Sequence, residues 1–149
     1  MKNLFLEKVK FPRILIILFW IQLVFFILYY LNKKDNSLLI FIIGLLIMGL
    51  FFSFSYTKIE ISESCIKYGL IPLPKNKIKW NDVQKYEIVK ISALSDFLGW
   101  GIRYSKKFGW SYIMKGDYAI CFTLKSGKKK TISIENEKKL KTFLEKIGQ

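Results

Sequence analysis

ILIILFWIQLVFFILYYL, residues Ile14–Leu31, contains one strongly polar side chain, Gln22. A second apolar run, Leu38–Tyr56, contains no charge, and the polar break before it is Asn32-Lys33-Lys34-Asp35-Asn36. The hydrocarbon core of a bilayer is crossed by roughly 20 apolar helical residues, and in lipid a helix satisfies its own backbone within one segment. Each run is long enough to span, and the break is too short to be a domain. The sequence therefore predicts a transmembrane helical hairpin over residues 14–56. Gly49 and Ser53 are four residues apart in the second run, a spacing of small side chains that lets helices approach closely. Their partner is either the first run or another copy of the chain, and Gln22 can donate a hydrogen bond across either seam.

Outside the hairpin the chain is basic. Its 149 residues include 25 Lys+Arg against 11 Asp+Glu, a net charge of +14. The lead of residues 1–13 carries +3, the polar break +1 and residues 57–149 the remaining +10. Lys and Arg beside spans mark the cytoplasmic side, and the two ends of a hairpin share a side. The expected location is the cell membrane, multi-pass with two spans, both termini cytoplasmic and the break outside. A signal peptide would have a shorter apolar region, about 7–15 residues, before a small-residue cleavage site; Tyr29-Tyr30-Leu31-Asn32 offers no such site. The lead sets Leu4, Phe5, Leu6, Val9 and Phe11 among Lys2, Lys8 and Lys10. It reads either as a frayed tail or as an amphipathic turn or two at headgroup level. Cys65 and Cys121 make at most one bridge, and in a cytoplasmic domain they are expected as free, buried thiols.

After Tyr56 the period changes to two. Ile59 and Ile61 alternate with Lys58 and Glu60, Ser62-Glu63-Ser64 turns, and Ile66, Tyr68 and Leu70 alternate again: a strand hairpin. Pro72 and Pro74 mark a loop. Residues 78–80 and 83–91 resume the strand pattern, and residues 91–99 read as a loop. Gly101–Ser105 and Trp110–Lys115 are short aromatic strands, while Tyr118–Lys125 and Lys128–Ile134 pair about the Ser126-Gly127 turn. Asn136 caps a helix whose Leu140, Phe143, Leu144 and Ile147 recur at helical spacing, with Gly148 as its stop. Residues 57–149 are thus expected to fold on their own, as an all-β domain of about seven antiparallel strands closed by a C-terminal helix.

Taken together, Ile78-Lys79-Trp80-Asn81-Asp82-Val83, Gly99-Trp100-Gly101-Ile102-Arg103-Tyr104, Gly109-Trp110-Ser111-Tyr112 and Leu124-Lys125-Ser126-Gly127-Lys128-Lys129 resemble strand segments of the bacterial membrane proteins with a pleckstrin-homology-like (PH-like) domain. The resemblance covers most of residues 58–147, and the membrane hairpin agrees in position. It implies a fold, two packed antiparallel sheets capped by a helix, without implying one activity or a catalytic residue. Some members of that family are linked to envelope stress or resistance to peptide antibiotics.

The chain has no histidine, and its carboxylates are scattered, with no phosphate loop, metal-ligand cluster or nucleophile elbow. No enzyme, cofactor or metal is expected, and the aromatic spacing shows no RNA-binding pattern. Residues 97–115 have the one unusual composition: rings interleaved with cations. Trp100, Arg103, Lys106, Lys107, Phe108 and Trp110 are the candidate contacts with lipid or a partner. The competing reading sends the rings into the core and leaves the cations solvated, with Arg103 over Trp100 or Trp110 as a cation–π contact. Lys128-Lys129-Lys130 reads as the solvated part of a hairpin. The expected function is non-enzymatic binding of protein or lipid at the inner leaflet. The alternative is an immunity or stress-resistance factor against a membrane-active peptide. Partners are membrane lipids, with room for another membrane protein, such a peptide or a second copy, and no nucleic acid.

Overall fold

The structure is a computed structural model that describes residues 4–147; Lys2 and Gly148, used in the reading above, lie outside them. The chain divides into two compact units, residues 11–55 and a β-domain that joins the segment before them to the chain from Tyr56 onward.

The first unit is the hairpin of α1 (Arg13–Lys33) and α2 (Asn36–Phe54). Both helices are long and apolar enough to cross a membrane. At 21 and 19 residues, with 1.5 Å per residue, each matches a hydrocarbon core of about 30 Å. Lys34 ends α1 in the left-handed region, and the Asp35 carboxylate caps α2 by accepting from the Ser37 amide at 2.8 Å. The small-residue pair of α2 faces α1. Gly49 is buried, and a Cβ placed there would lie 2.6 Å from the Phe19 ring. Trp20 Nε1 donates to Ser53 Oγ at 3.2 Å, and that hydroxyl donates to the Gly49 carbonyl at 2.7 Å. Gln22 takes no part in this seam; it is exposed on α1.

The β-domain begins earlier than the alternation after Tyr56 implies. β1 (Leu4–Lys10) is a strand, not an amphipathic turn, and all seven of its residues pair antiparallel with β2 (Tyr56–Ser62), from Leu4↔Ser62 to Lys10↔Tyr56. Phe5 and Val9 point inward and are buried, while Leu4 and Leu6 are exposed on the other face. β3 (Cys65–Ile71) and β4 (Asn76–Lys79) complete a four-stranded antiparallel sheet in the order β1-β2-β3-β4.

A single 3₁₀ turn, Trp80–Asp82, leads to β5 (Val83–Lys90). The segment read as a loop then holds a short helix, α3 (Ala93–Phe97), because Ser92 caps it twice: its Oγ accepts from the Ser95 amide, and its own amide donates to Asp96 Oδ2. β6 (Gly101–Ser105), β7 (Gly109–Ile113), β8 (Tyr118–Leu124) and β9 (Lys129–Ile134) follow, and α4 (Glu137–Lys146), capped by Asn136, closes the domain. The second sheet runs β5-β8-β9-β7-β6. It is mixed, because β7 lies parallel to β9, where the resemblance implied antiparallel pairing throughout. The described residues thus hold nine strands in sheets of four and five, against the expected seven or so.

The main core joins the two sheets and α4. Phe5, Ile59, Ile61 and Ile66 meet Ile120, Phe122, Ile132 and Ile134, with Leu140 and Leu144 closing over them. Phe143 packs its ring 5.7 Å from that of Phe5, so the first strand and the last helix touch. A smaller cluster of Ile91, Phe97, Phe108, Ile113 and Ala119 covers the opposite face of the five-stranded sheet. Both cysteines are free and buried.

Candidate functional site

β6 and β7 form a hairpin in which Tyr104 lies directly across from Trp110. Their rings meet edge to face at 5.6 Å and stay 64% and 51% exposed, respectively. Two large rings in edge-to-face contact, each about half open to solvent, make an exposed aromatic surface on this hairpin. Beside them, the parallel β7–β9 pairing brings Trp110 level with Lys130. The sequence alone does not show that juxtaposition, since it requires residues twenty positions apart to lie side by side.

The ladder also decides where Lys130 points. It lies across from Phe122 on β8 and shares the inner face of β9 with Ile132 and Ile134. Its side chain is therefore partly buried rather than solvated. Burial, reinforced by the charge of Lys128, pushes the Lys130 ammonium below its ordinary pKa. A cleft of about 380 Å³ opens here, lined by Tyr104, Lys106, Gly109, Trp110 and Gly127–Lys130.

The two turns that bound the cleft are tied to each other. Thr131 Oγ1 donates to the Phe108 carbonyl at 2.8 Å, and Lys129 Nζ donates to the Lys107 carbonyl at 3.1 Å. Gly109, at φ +69°, lets the Lys129 carbonyl approach closer than any side chain would permit.

Of the residues the sequence singled out, Lys106 and Trp110 line this cleft. Lys107 is exposed on the same turn, its ammonium 4.7 Å from the Phe108 ring centroid. Phe108 is a core residue, 4% exposed with its ring 5.2 Å from that of Phe97, so it offers no outer contact. Arg103 is exposed and lies on the other face of β6, its guanidinium against Gly99. Trp100 is half-buried at the start of that hairpin. Tyr104 was counted only among the rings of residues 97–115, and Lys128, Lys129 and Lys130, which also line the cleft, were not among the expected contacts. The signal for Lys130 was present in the period of two that sets it in line with Ile132 and Ile134. α3 also leaves Leu94 and Leu98 exposed, at 62% and 88%.

Among the described residues no three Cys, Asp or Glu side chains gather into a group able to hold a metal. Comparison with family models, curated proteins and solved structures finds no match to this chain. The site's chemistry therefore rests on its own residues: exposed rings, a cleft, and four lysines with no acidic residue among the lining, Glu87 being the carboxylate whose charge reaches Lys129.

Proposed function

We propose that the chain is a non-enzymatic integral membrane protein whose β-domain, PH-like in kind, binds lipid at the inner leaflet through the β6–β7 turn and the lysines beside it. The observation that carries this reading is the exposed Tyr104–Trp110 pair next to Lys106 and Lys128–Lys130. Aromatic rings settle at headgroup depth, and each Lys near an anionic leaflet contributes about 1 kcal/mol. The β-domain is joined to the helices only by residues 11–12 and by Ser55. So short a tether holds the local concentration of headgroups high, and a weak site is then occupied.

The test uses the full chain in nanodiscs containing a photoactivatable phosphatidylglycerol. Labelling is expected on the β6–β7 turn, and it should fall several-fold in the Lys106→Ser/Lys107→Ser variant. Equal labelling by photoactivatable phosphatidylcholine, or labelling indifferent to the double variant, would reject the reading. A protein adduct captured in cells at position 104, with no lipid adduct, would replace the lipid by a protein partner.

The orientation belongs to the same proposal. The pairing of Lys10 with Tyr56 supports an even number of crossings, because it sets the chain entering the hairpin beside the chain leaving it. The basic flanks support the cytoplasmic side. In a variant lacking Cys65 and Cys121, Asn36→Cys is expected to react with an impermeant maleimide in intact cells, and Lys125→Cys to react only after permeabilisation. The reverse pattern would invert the topology.

A further inference from the structure

We propose that the cleft between the β6–β7 and β8–β9 turns binds a phosphate ester of a polyol, with the phosphate held by Lys106, Lys128 and Lys130 and the polyol lying against Tyr104 and Trp110. The proposal deepens the reading of a headgroup-binding β-domain by naming the chemistry of the ligand.

The first argument is the distribution of charge. Elsewhere in the domain Lys58, Lys75, Lys85, Lys115 and Lys141 each pair with a carboxylate, and among the described residues lysines such as Lys67, Lys77 and Lys90 do not, so what marks the cleft is the number of cations gathered in one place. Four lysines, at 106, 128, 129 and 130, line the cleft, none is in an ion pair among the described residues, and no lining residue is acidic. The second is Lys130 itself. The sheet register turns a cation toward an apolar interior with no counter-ion, an arrangement that weakens the fold and that an anion in the cleft would relieve.

The third argument is preorganisation. The Thr131–Phe108 and Lys129–Lys107 hydrogen bonds clamp one turn to the other, so the cations are gathered before any ligand arrives. A phosphate spreads its charge over several oxygens and can accept from three ammonium groups at once, whereas a carboxylate has only two oxygens to offer. The cleft, at about 380 Å³, falls within the range of small-molecule sites, and the ring faces suit the C–H surface of a polyol.

A lipid headgroup and a soluble ester share this chemistry, and the experiment separates them. Full-length protein in phosphatidylcholine nanodiscs is titrated calorimetrically with glycerol 3-phosphate, with glycerol as the uncharged control. The wild type is expected to bind the ester and not glycerol. Lys130→Met should weaken binding at least tenfold while raising the melting temperature, because it removes a partly buried, unpaired charge. Lys106→Met, on an exposed turn where folding is not at stake, should weaken binding several-fold. Lys138→Met on α4 should leave it unchanged. In discs doped with phosphatidylglycerol, weaker apparent binding of the ester identifies the lipid headgroup as the occupant, and unchanged binding identifies a soluble ester.

The proposal falls if glycerol 3-phosphate does not bind and phosphatidylglycerol labels the Lys130→Met variant as it does wild type. That result would leave general headgroup contact at the β6–β7 turn standing. Conversely, ester binding lost in Lys130→Met, with no lipid labelling of the turn, would support the cleft and reject the lipid reading.

Discussion

Deleting residues 1–10 is expected to unfold the β-domain. β1 supplies Phe5 and Val9 to the core, at 2% and 1% exposure. It covers the whole length of β2, and the Glu7 carboxylate accepts from the Glu135 amide at 2.5 Å. Phe5→Ala alone should cost about 3–5 kcal/mol, a large part of the roughly 5–15 kcal/mol that holds a domain of this size together. Full deletion also leaves β2 as a bare edge, open to pairing with other chains. A fragment of residues 57–149 is therefore expected to show no cooperative thermal transition by near-ultraviolet circular dichroism. The same fragment with residues 1–10 joined to it through a short glycine-rich loop should regain one. Equal, cooperative melting of both fragments would show that β1 is dispensable.

Gly109→Ala is expected to destabilise the domain by about 2–5 kcal/mol, and larger side chains by more. The backbone there is in the left-handed region at φ +69°, which an L-residue adopts only at a cost. The new Cβ would also collide with the carbonyl of Lys129, which is backbone and cannot swing aside. Relief requires β7 to move away from β9, and that motion breaks the Thr131–Phe108 hydrogen bond. Gly127, at φ +77° in the neighbouring turn, has open space around its Cβ position, so Gly127→Ala should show the conformational part of the penalty alone. Chemical denaturation of the two variants separates strain from collision. Equal losses would mean that the close approach at Gly109 carries no cost.

The elements legible in the sequence are those whose pattern is local. The β2–β3 and β8–β9 hairpins announce themselves by alternation around short polar turns. α4 does so by its Asn136 cap and its Leu140, Phe143, Leu144 and Ile147 stripe. The hairpin helices follow from length and hydropathy alone. β1 was obscured because Leu4 and Leu6 sit on the solvent face beside the inward Phe5, turning an alternating strand into an apolar run, and because its partner lies beyond the hairpin. The β7–β9 pairing was invisible for a related reason: no turn chemistry specifies a parallel neighbour. Half of the site went with it. Lys106 and Trp110 could be picked out by composition, but their company of Tyr104, Lys128 and Lys130 depends on that one non-local contact. Phe108 misled because an aromatic beside two lysines has the same composition whether it faces out or in.

The union of β1 with β2 has a consequence for how the protein is made. The ribosome releases β1 first, and its partner emerges only after both helices have been synthesised, so the first strand waits, unpaired, while the whole hairpin is made. If only one of the two helices crossed a bilayer, β1 and β2 would be stranded on opposite sides of it, and no amount of time would let the sheet close. Such a copy would carry a permanently open strand edge and an unfilled core, both marks by which proteases recognise failed products. Folding of the β-domain would then audit the number of crossings, passing only chains whose two flanking strands emerge on one side.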